Sequence, residues 1–106
     1  MATLEEILKH QHVGVQNAIK SRDLESLLGC PGTQIREETN KLRAKGIPVC
    51  TSNVGYYYSE DEEEIAYTIA ALSSRIKQMQ KARRGLRKAL KKIEKIKEKN
   101  NEKISY

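Results

Sequence analysis

The sequence predicts a mainly α-helical, α+β fold: a small helical domain closed by a β-hairpin, then one long amphipathic C-terminal helix of coiled-coil type. Three observations predict it. Leu and Ile recur at helical spacing in three short segments before Gly46. Two short β-prone runs then flank Ser52-Asn53-Val54-Gly55. From Ile65 to Ile93 apolar residues step alternately by four and three.

Thr3-Leu4-Glu5-Glu6 reads as a capping box, in which the Thr hydroxyl accepts from the N3 amide and Glu6 reaches back. A first helix with Leu4, Ile7 and Leu8 on one face runs to about His10, and His12-Val13-Gly14 ends it. Asn17-Ala18-Ile19-Lys20 is long enough only for a connecting or edge strand. Ser21 offers an N-cap for a second helix carrying Leu24, Leu27 and Leu28. That helix stops in Leu28-Gly29-Cys30-Pro31-Gly32, where Gly29 takes a positive φ without steric cost and Pro31 suits the first position of a new helix.

Two helices joined by so tight a turn cross steeply, as in a helix-turn-helix. The third helix, from about Pro31 to Lys45, carries Ile35, Thr39 and Leu42 on one stripe and polar residues elsewhere, and it stops at Gly46. The runs 47–51 and 56–59 form a hairpin with a four-residue loop. A hairpin at that point is a wing, and the order helix, strand, helix, turn, helix, hairpin completes a winged helix-turn-helix over residues 1–60. Within Tyr56-Tyr57-Tyr58 the outer tyrosines are expected on the core and the middle one outside.

Ser59-Glu60-Asp61-Glu62 is a second capping box, and the acidic run Glu60 to Glu64 suits the positive end of a helix dipole. The long basic helix is expected over 61–99, with a frayed tail over 100–106. Ile69, Leu72, Ile76, Met79, Leu86, Leu90 and Ile93 form a heptad seam broken by Arg83 and Lys97, the expected dimerisation face. Gly85 leaves a kink or break open in its middle.

Composition limits what such a chain can do. With 106 residues there is room for about one domain and no cleft between lobes. Hydrophobic residues make up 38% and charged residues 32%, with neither Trp nor Phe, so part of the chain is expected to be extended or exposed. The net charge of +6 is uneven: residues 1–59 hold seven Lys/Arg against six Asp/Glu, whereas residues 60–106 hold thirteen against eight. From Arg75 to Lys99 twelve cations face only Glu94 and Glu98, a surface suited to a polyanion such as nucleic acid.

No basic leader with an apolar run and no span of membrane length stands out, so a cytoplasmic protein is expected, with no membrane partner and with Cys30 and Cys50 reduced. Those cysteines, with His10 and His12, match no metal-ligand spacing, so neither a metal nor a cofactor is expected. Neither a nucleophile, base and acid grouping nor a phosphate-binding glycine loop is visible, and the chain reads as a non-enzyme.

The third helix is the expected reader of a DNA major groove. Arg36 suits guanine O6 and N7, Gln34 and Asn40 suit adenine N6 and N7, and Thr33 and Lys41 lie on the same polar surface. Arg43 and Lys45, near the helix end, suit phosphate or the last carbonyls. Ser52 and Asn53 offer neutral hydrogen-bonding groups on a wing whose tip has no Lys or Arg. On the long helix Arg84, Arg87, Lys88, Lys91 and Lys92 suit phosphates, since that segment has no aromatic or amide groups for base edges.

The runs Ser21-Arg22-Asp23-Leu24 to Leu28-Gly29-Cys30, then Gln34-Ile35-Arg36, Leu42-Arg43, Lys45-Gly46-Ile47-Pro48-Val49 and Gly55-Tyr56-Tyr57-Tyr58-Ser59, resemble the winged helix-turn-helix of biotin-operon-repressor type. They are more similar still to small winged-helix proteins encoded by bacteriophages and prophages. Thr39 stands where such sequences more often have an aliphatic residue, and Pro31 where they often have a capping Ser or Asp. The resemblance spans roughly residues 17–77 and implies binding of double-stranded operator DNA. Two functions follow as expectations. One is a phage or prophage transcriptional regulator, or a replication or recombination accessory, acting as a homodimer in the bacterial cytoplasm or nucleoid. The other is a non-catalytic interaction module whose long helix engages a host or phage protein.

Overall fold

The computed structural model describes residues 2–104, with side chains to residue 100. It is mainly helical: α1 (Leu4–Gln11), a 3₁₀ turn (Val15–Asn17), α2 (Ser21–Leu28), α3 (Gly32–Ala44), β1 (Val49–Thr51), β2 (Tyr56–Tyr58) and α4 (Glu62–Ile104). This order, with a wing-like hairpin after a tightly turned helix pair, is compatible with the winged helix-turn-helix expected from the sequence. Two compact units divide the chain, Met1–Ala70 and Ala71–Tyr106. The first unit therefore takes in the opening turns of α4.

The Thr3 cap forms, its hydroxyl accepting from the Glu6 amide at 3.2 Å, while the Glu6 carboxylate meets that hydroxyl at 3.3 Å. The other starts shift from their expected positions. Lys20, not Ser21, is the N-cap of α2, and Pro31 precedes α3 as its N-cap, without a side-chain cap in either case. Asp61, not Ser59, caps α4: its carbonyl accepts from Ile65 N–H and its carboxylate from Glu63 N–H at 2.9 Å. Ser59 does not cap α4: its buried hydroxyl donates to Glu64 Oε1 at 2.6 Å and accepts from Asp61 N–H at 3.0 Å, ahead of the helix start. Gly29 ends α2 in the left-handed region (φ 64), as the tight turn requires.

One core fills the space between the helices and the sheet. Leu4 and Leu8 of α1, Leu24 of α2, Ile35 and Leu42 of α3, Ile19 and Val49 form it, with Ile7, Leu28, Cys30, Ile47, Tyr56 and Tyr58 packed at its rim. Leu27, on the expected apolar face of α2, is 61% exposed. Thr39 lies within the α3 stripe, is 2% exposed, and its hydroxyl has no hydrogen-bond partner.

The hairpin pairs Val49 with Tyr58, Cys50 with Tyr57 and Thr51 with Tyr56. Its β2 strand is also bonded along the opposite edge. Ile19 and Tyr56 exchange two 2.8 Å backbone bonds, Gly14 N–H donates to Tyr58 O, and Tyr58 N–H donates to His12 O. The expected edge strand is thus a single-residue bridge at Ile19. Gly55 is needed at this approach, since a Cβ there would collide with the Ile19 carbonyl and sit 2.9 Å from Lys20 N.

The outer tyrosines pack against the core as expected, both half-buried, but the middle one does not face water: Tyr57 is 1% exposed. The hairpin is covered on both faces. Val49, Tyr56 and Tyr58 pack toward the helical core. On the other face Cys50, Tyr57, Ser59 and Thr68 are all buried, so the first turns of α4 form a roof. Burial pushes the Tyr57 phenol above its ordinary range, with Thr68 acting in the opposite sense.

Helix α4 is continuous through Gly85 and reaches Ile104. Ser105 and Tyr106, the end of the expected frayed tail, lie outside the described residues.

Two substitutions should move stability in opposite directions. Gly55→Ala must open the Ile19–Tyr56 bridge, and denaturant unfolding should register a loss of about 1–3 kcal/mol from the two bonds it holds. Thr39→Val removes a buried hydroxyl without a partner and should raise stability by about 1 kcal/mol. A neutral Gly55→Ala, or a Thr39→Val that destabilises, contradicts this packing.

Candidate nucleic-acid interface

Helix α3 buries Ile35, Thr39 and Leu42, and at about 100° per residue the opposite side is carried by Thr33, Glu37, Asn40 and Ala44. All four are exposed. Arg36 flanks this ridge on one side and Gln34 and Lys41 on the other, again all exposed. The guanidinium, the amides and the hydroxyl expected to meet base edges therefore share one unpacked surface. Glu37, not foreseen as a contact, stands at its centre, and its carboxylate is an acceptor suited to the cytosine amino group.

Two carboxylates temper the cations here. A Cβ at Gly32 would lie 3.3 Å from Glu25 Oε1 and 3.6 Å from Arg36 Nη1, so the α2 carboxylate and the α3 guanidinium share the space above that glycine. Lys41 Nζ is 3.6 Å from Glu38 Oε1, with the two side chains 69% and 48% exposed. Such an exposed pair contributes about 0.5 kcal/mol or less, and a phosphate can replace Glu38 at little cost.

Arg43 has a different place. Its Nε donates to Val49 O at 2.8 Å and its Nη2 to Thr51 Oγ1 at 3.3 Å, which ties the end of α3 to β1. The guanidinium is thus a brace between the helix and the wing. Lys45 is exposed at the helix end.

In the wing the Ser52 hydroxyl serves its own loop, accepting from Val54 N–H at 3.2 Å and Gly55 N–H at 3.5 Å. Asn53 and Val54 are exposed at the tip. The cation that the tip lacks in sequence stands beside it in space: Lys20 is exposed and follows Ile19, whose bridge to Tyr56 brings its backbone against Gly55. Lys20 escaped the sequence reading because only that long-range bridge brings it to the wing.

In the second unit Arg84, Arg87, Lys88, Lys91 and Lys92 are all exposed. So is most of the expected seam: Ile69, Ile76, Met79, Leu86, Leu90 and Ile93 are each more than half exposed, while Leu72 is half-buried.

Among the described residues no group of three or more His, Cys, Asp or Glu gathers as metal ligands, and Cys30 and Cys50 are free thiols. His12 Nδ1 lies 2.8 Å from Asn17 O. No helix among the described residues is long and apolar enough to cross a membrane. Comparison with family models, with curated proteins and with solved structures returns no match for this chain.

The two arginines of α3 should separate in a stability assay. Arg43→Ala should lower the unfolding free energy by about 1–3 kcal/mol through loss of its charged hydrogen bonds, whereas Arg36→Ala should stay within about 0.5 kcal/mol of the parent. Equal losses would show that Arg43 is not the brace.

Proposed function

We propose that this chain is a non-catalytic, sequence-specific binder of double-stranded DNA that acts as a homodimer in the bacterial cytoplasm. Its role is that of a phage or prophage regulator of transcription, or an accessory of replication or recombination. The observation that carries this reading is the exposed ridge of α3. A helix that follows a tight helix turn, is anchored by three buried residues and leaves Thr33, Arg36, Glu37, Asn40 and Lys41 unpacked is suited to enter a major groove.

In this reading the labour divides by charge density. Arg36 and Asn40 supply discrimination, with Gln34, Glu37 and Asn53 around them. Lys20 and Lys41 and the α4 cations Arg84, Arg87, Lys88, Lys91 and Lys92 attract phosphates without regard to sequence. Residues 1–59 are close to neutral, so most of the attraction comes from the basic helix.

The exposed seam of α4 supports the dimer. Six seam side chains more than half exposed over one helix form an apolar stripe that water does not favour, and a second copy would cover it. The same stripe favours a second reading, in which α4 engages a host or phage protein instead.

Fluorescence anisotropy on random duplex and on a duplex recovered by selection tests the proposal. Arg36→Ala should weaken binding to the selected site by about 1–3 kcal/mol and hardly affect random duplex. Reversing Lys88, Lys91 and Lys92 to Glu should weaken binding to both and flatten log affinity against log salt by about 0.9 for each phosphate no longer neutralised. Full-length protein with neither a preferred site nor salt-dependent affinity overturns the DNA reading in favour of the protein-partner one.

A further inference from the structure

Building on the dimer reading above, we infer that α4 pairs with α4 of a second copy in the antiparallel sense. Ile69 lies against the partner's Ile93, Leu72 against the partner's Leu90, Ile76 against the partner's Leu86, and Met79 against the partner's Arg83.

Two seam positions decide the direction. In the alternation of four and three, Ile69, Ile76, Arg83, Leu90 and Lys97 occupy one class of seam position and Leu72, Met79, Leu86 and Ile93 the other. A parallel pair sets each class against itself. Arg83 would then face the partner's Arg83 and Lys97 the partner's Lys97, two like-charge contacts in the seam itself. An antiparallel pair sets one class against the other, so that Arg83 meets Met79 and Lys97 meets Ile65. A long cationic side chain can lay its stem along such an apolar neighbour and keep its charge in water.

The flanking positions favour neither direction by salt bridges. In the parallel sense they would pair Arg75 with Gln80, Ala82 with Arg87, and Ala89 with Glu94, without one salt bridge to reward that direction. In the antiparallel sense Ala82 meets the partner's Ala82, small residues that let the helices approach there, and Arg75 meets the partner's Ala89, again without a salt bridge.

The ends of α4 make the strongest case. Glu62 and Glu63 are exposed at the acidic start, and Lys95, Lys97 and Lys99 are exposed at the basic end. A parallel pair stacks acid on acid and base on base. The antiparallel register sets the acidic start of each helix level with the basic end of the other, residue 63 at the height of the partner's residue 99, so opposite charges and not like charges lie alongside one another. The remaining cations, among them Lys77, Lys81, Arg84, Lys88, Lys91 and Lys95, fall on the outward positions of the heptad and stay available to phosphates. The two-fold axis then crosses the pair at residue 81. The two copies of Ile69 stand about 36 Å apart along the helix pair, 24 residues of helix rise.

Light scattering and electron–electron dipolar spectroscopy on the full chain test this together. The probe is a nitroxide on Lys95→Cys, an exposed outward position, with Cys30→Ser removing the accessible native thiol and buried Cys50 retained. A dimer with a label separation near 40–45 Å is expected, since 28 residues of helix rise separate the two sites by about 42 Å. A dimer with a separation below about 25 Å, the width of two helices side by side, overturns the antiparallel inference and leaves the dimer standing. A monomer at tens of micromolar, roughly where such a seam associates, overturns the dimer reading and this inference with it.

Discussion

The hairpin has to be buried on both faces, and the carboxylate of Glu64 is where the chain meets that constraint. Its Oε1 accepts from the buried Ser59 hydroxyl at 2.6 Å and its Oε2 from Val15 N–H at 3.0 Å, joining the end of β2, the 3₁₀ turn and the start of α4. With α4 held there, Thr68 closes over Tyr57 and Cys50. The requirement follows from size. A domain of about 60 residues buries only about 60% of the surface its unfolded chain exposes, and each fully buried Leu, Ile or Val contributes about 1.5–3 kcal/mol. A core of seven such residues has little margin, so an open Tyr57 face would cost a substantial part of it. The opening turns of the long helix therefore belong to the first unit.

That closure determines what is left for recognition. Both faces of the hairpin and the inner stripe of α3 are committed to packing, Arg43 is committed to the joint between α3 and β1, and Ser52 to its own loop. The outer ridge of α3 is free of these duties, and it carries the guanidinium, carboxylate, amide and hydroxyl groups that can read base edges. Beyond residue 70 the helix carries an exposed basic surface and an exposed apolar seam. In the proposed reading, one seam and one basic surface on the same helix couple association to phosphate attraction, since both follow from a single sequence periodicity.

The element order was legible because each element has a local signal. Helical spacing, the Gly29 turn, the Gly46 stop and the hairpin residues each fall within a few positions of one another. What was not legible depended on contacts across the chain. The heptad pattern beyond Ile65 gave no sign that Thr68 would roof the hairpin, and without that roof Tyr57 is the tyrosine expected to face water. Ser59 has the side chain of an N-cap, but its hydroxyl serves the Glu64 carboxylate and the Asp61 amide, and Asp61 caps the helix instead. Of the residues expected to meet DNA, Thr33, Gln34, Arg36, Asn40 and Lys41 lie on one exposed surface of α3, because their places follow from its periodicity alone. Arg43 and Lys20 did not yield to the same reasoning, since one is fixed by β1 and the other by the Ile19–Tyr56 bridge.

The central claim is that α3 meets base edges while α4 meets phosphates. Amide chemical-shift mapping on ¹⁵N-labelled full-length protein, titrated with a duplex recovered by selection and then with a random duplex, tests it most directly. The account predicts that the amides of Thr33, Arg36, Glu37 and Asn40 shift with the selected duplex and much less with the random one, while the amides around Lys88 to Lys92 shift with both. Perturbations confined to α4 with both duplexes, or none on either unit, would contradict it.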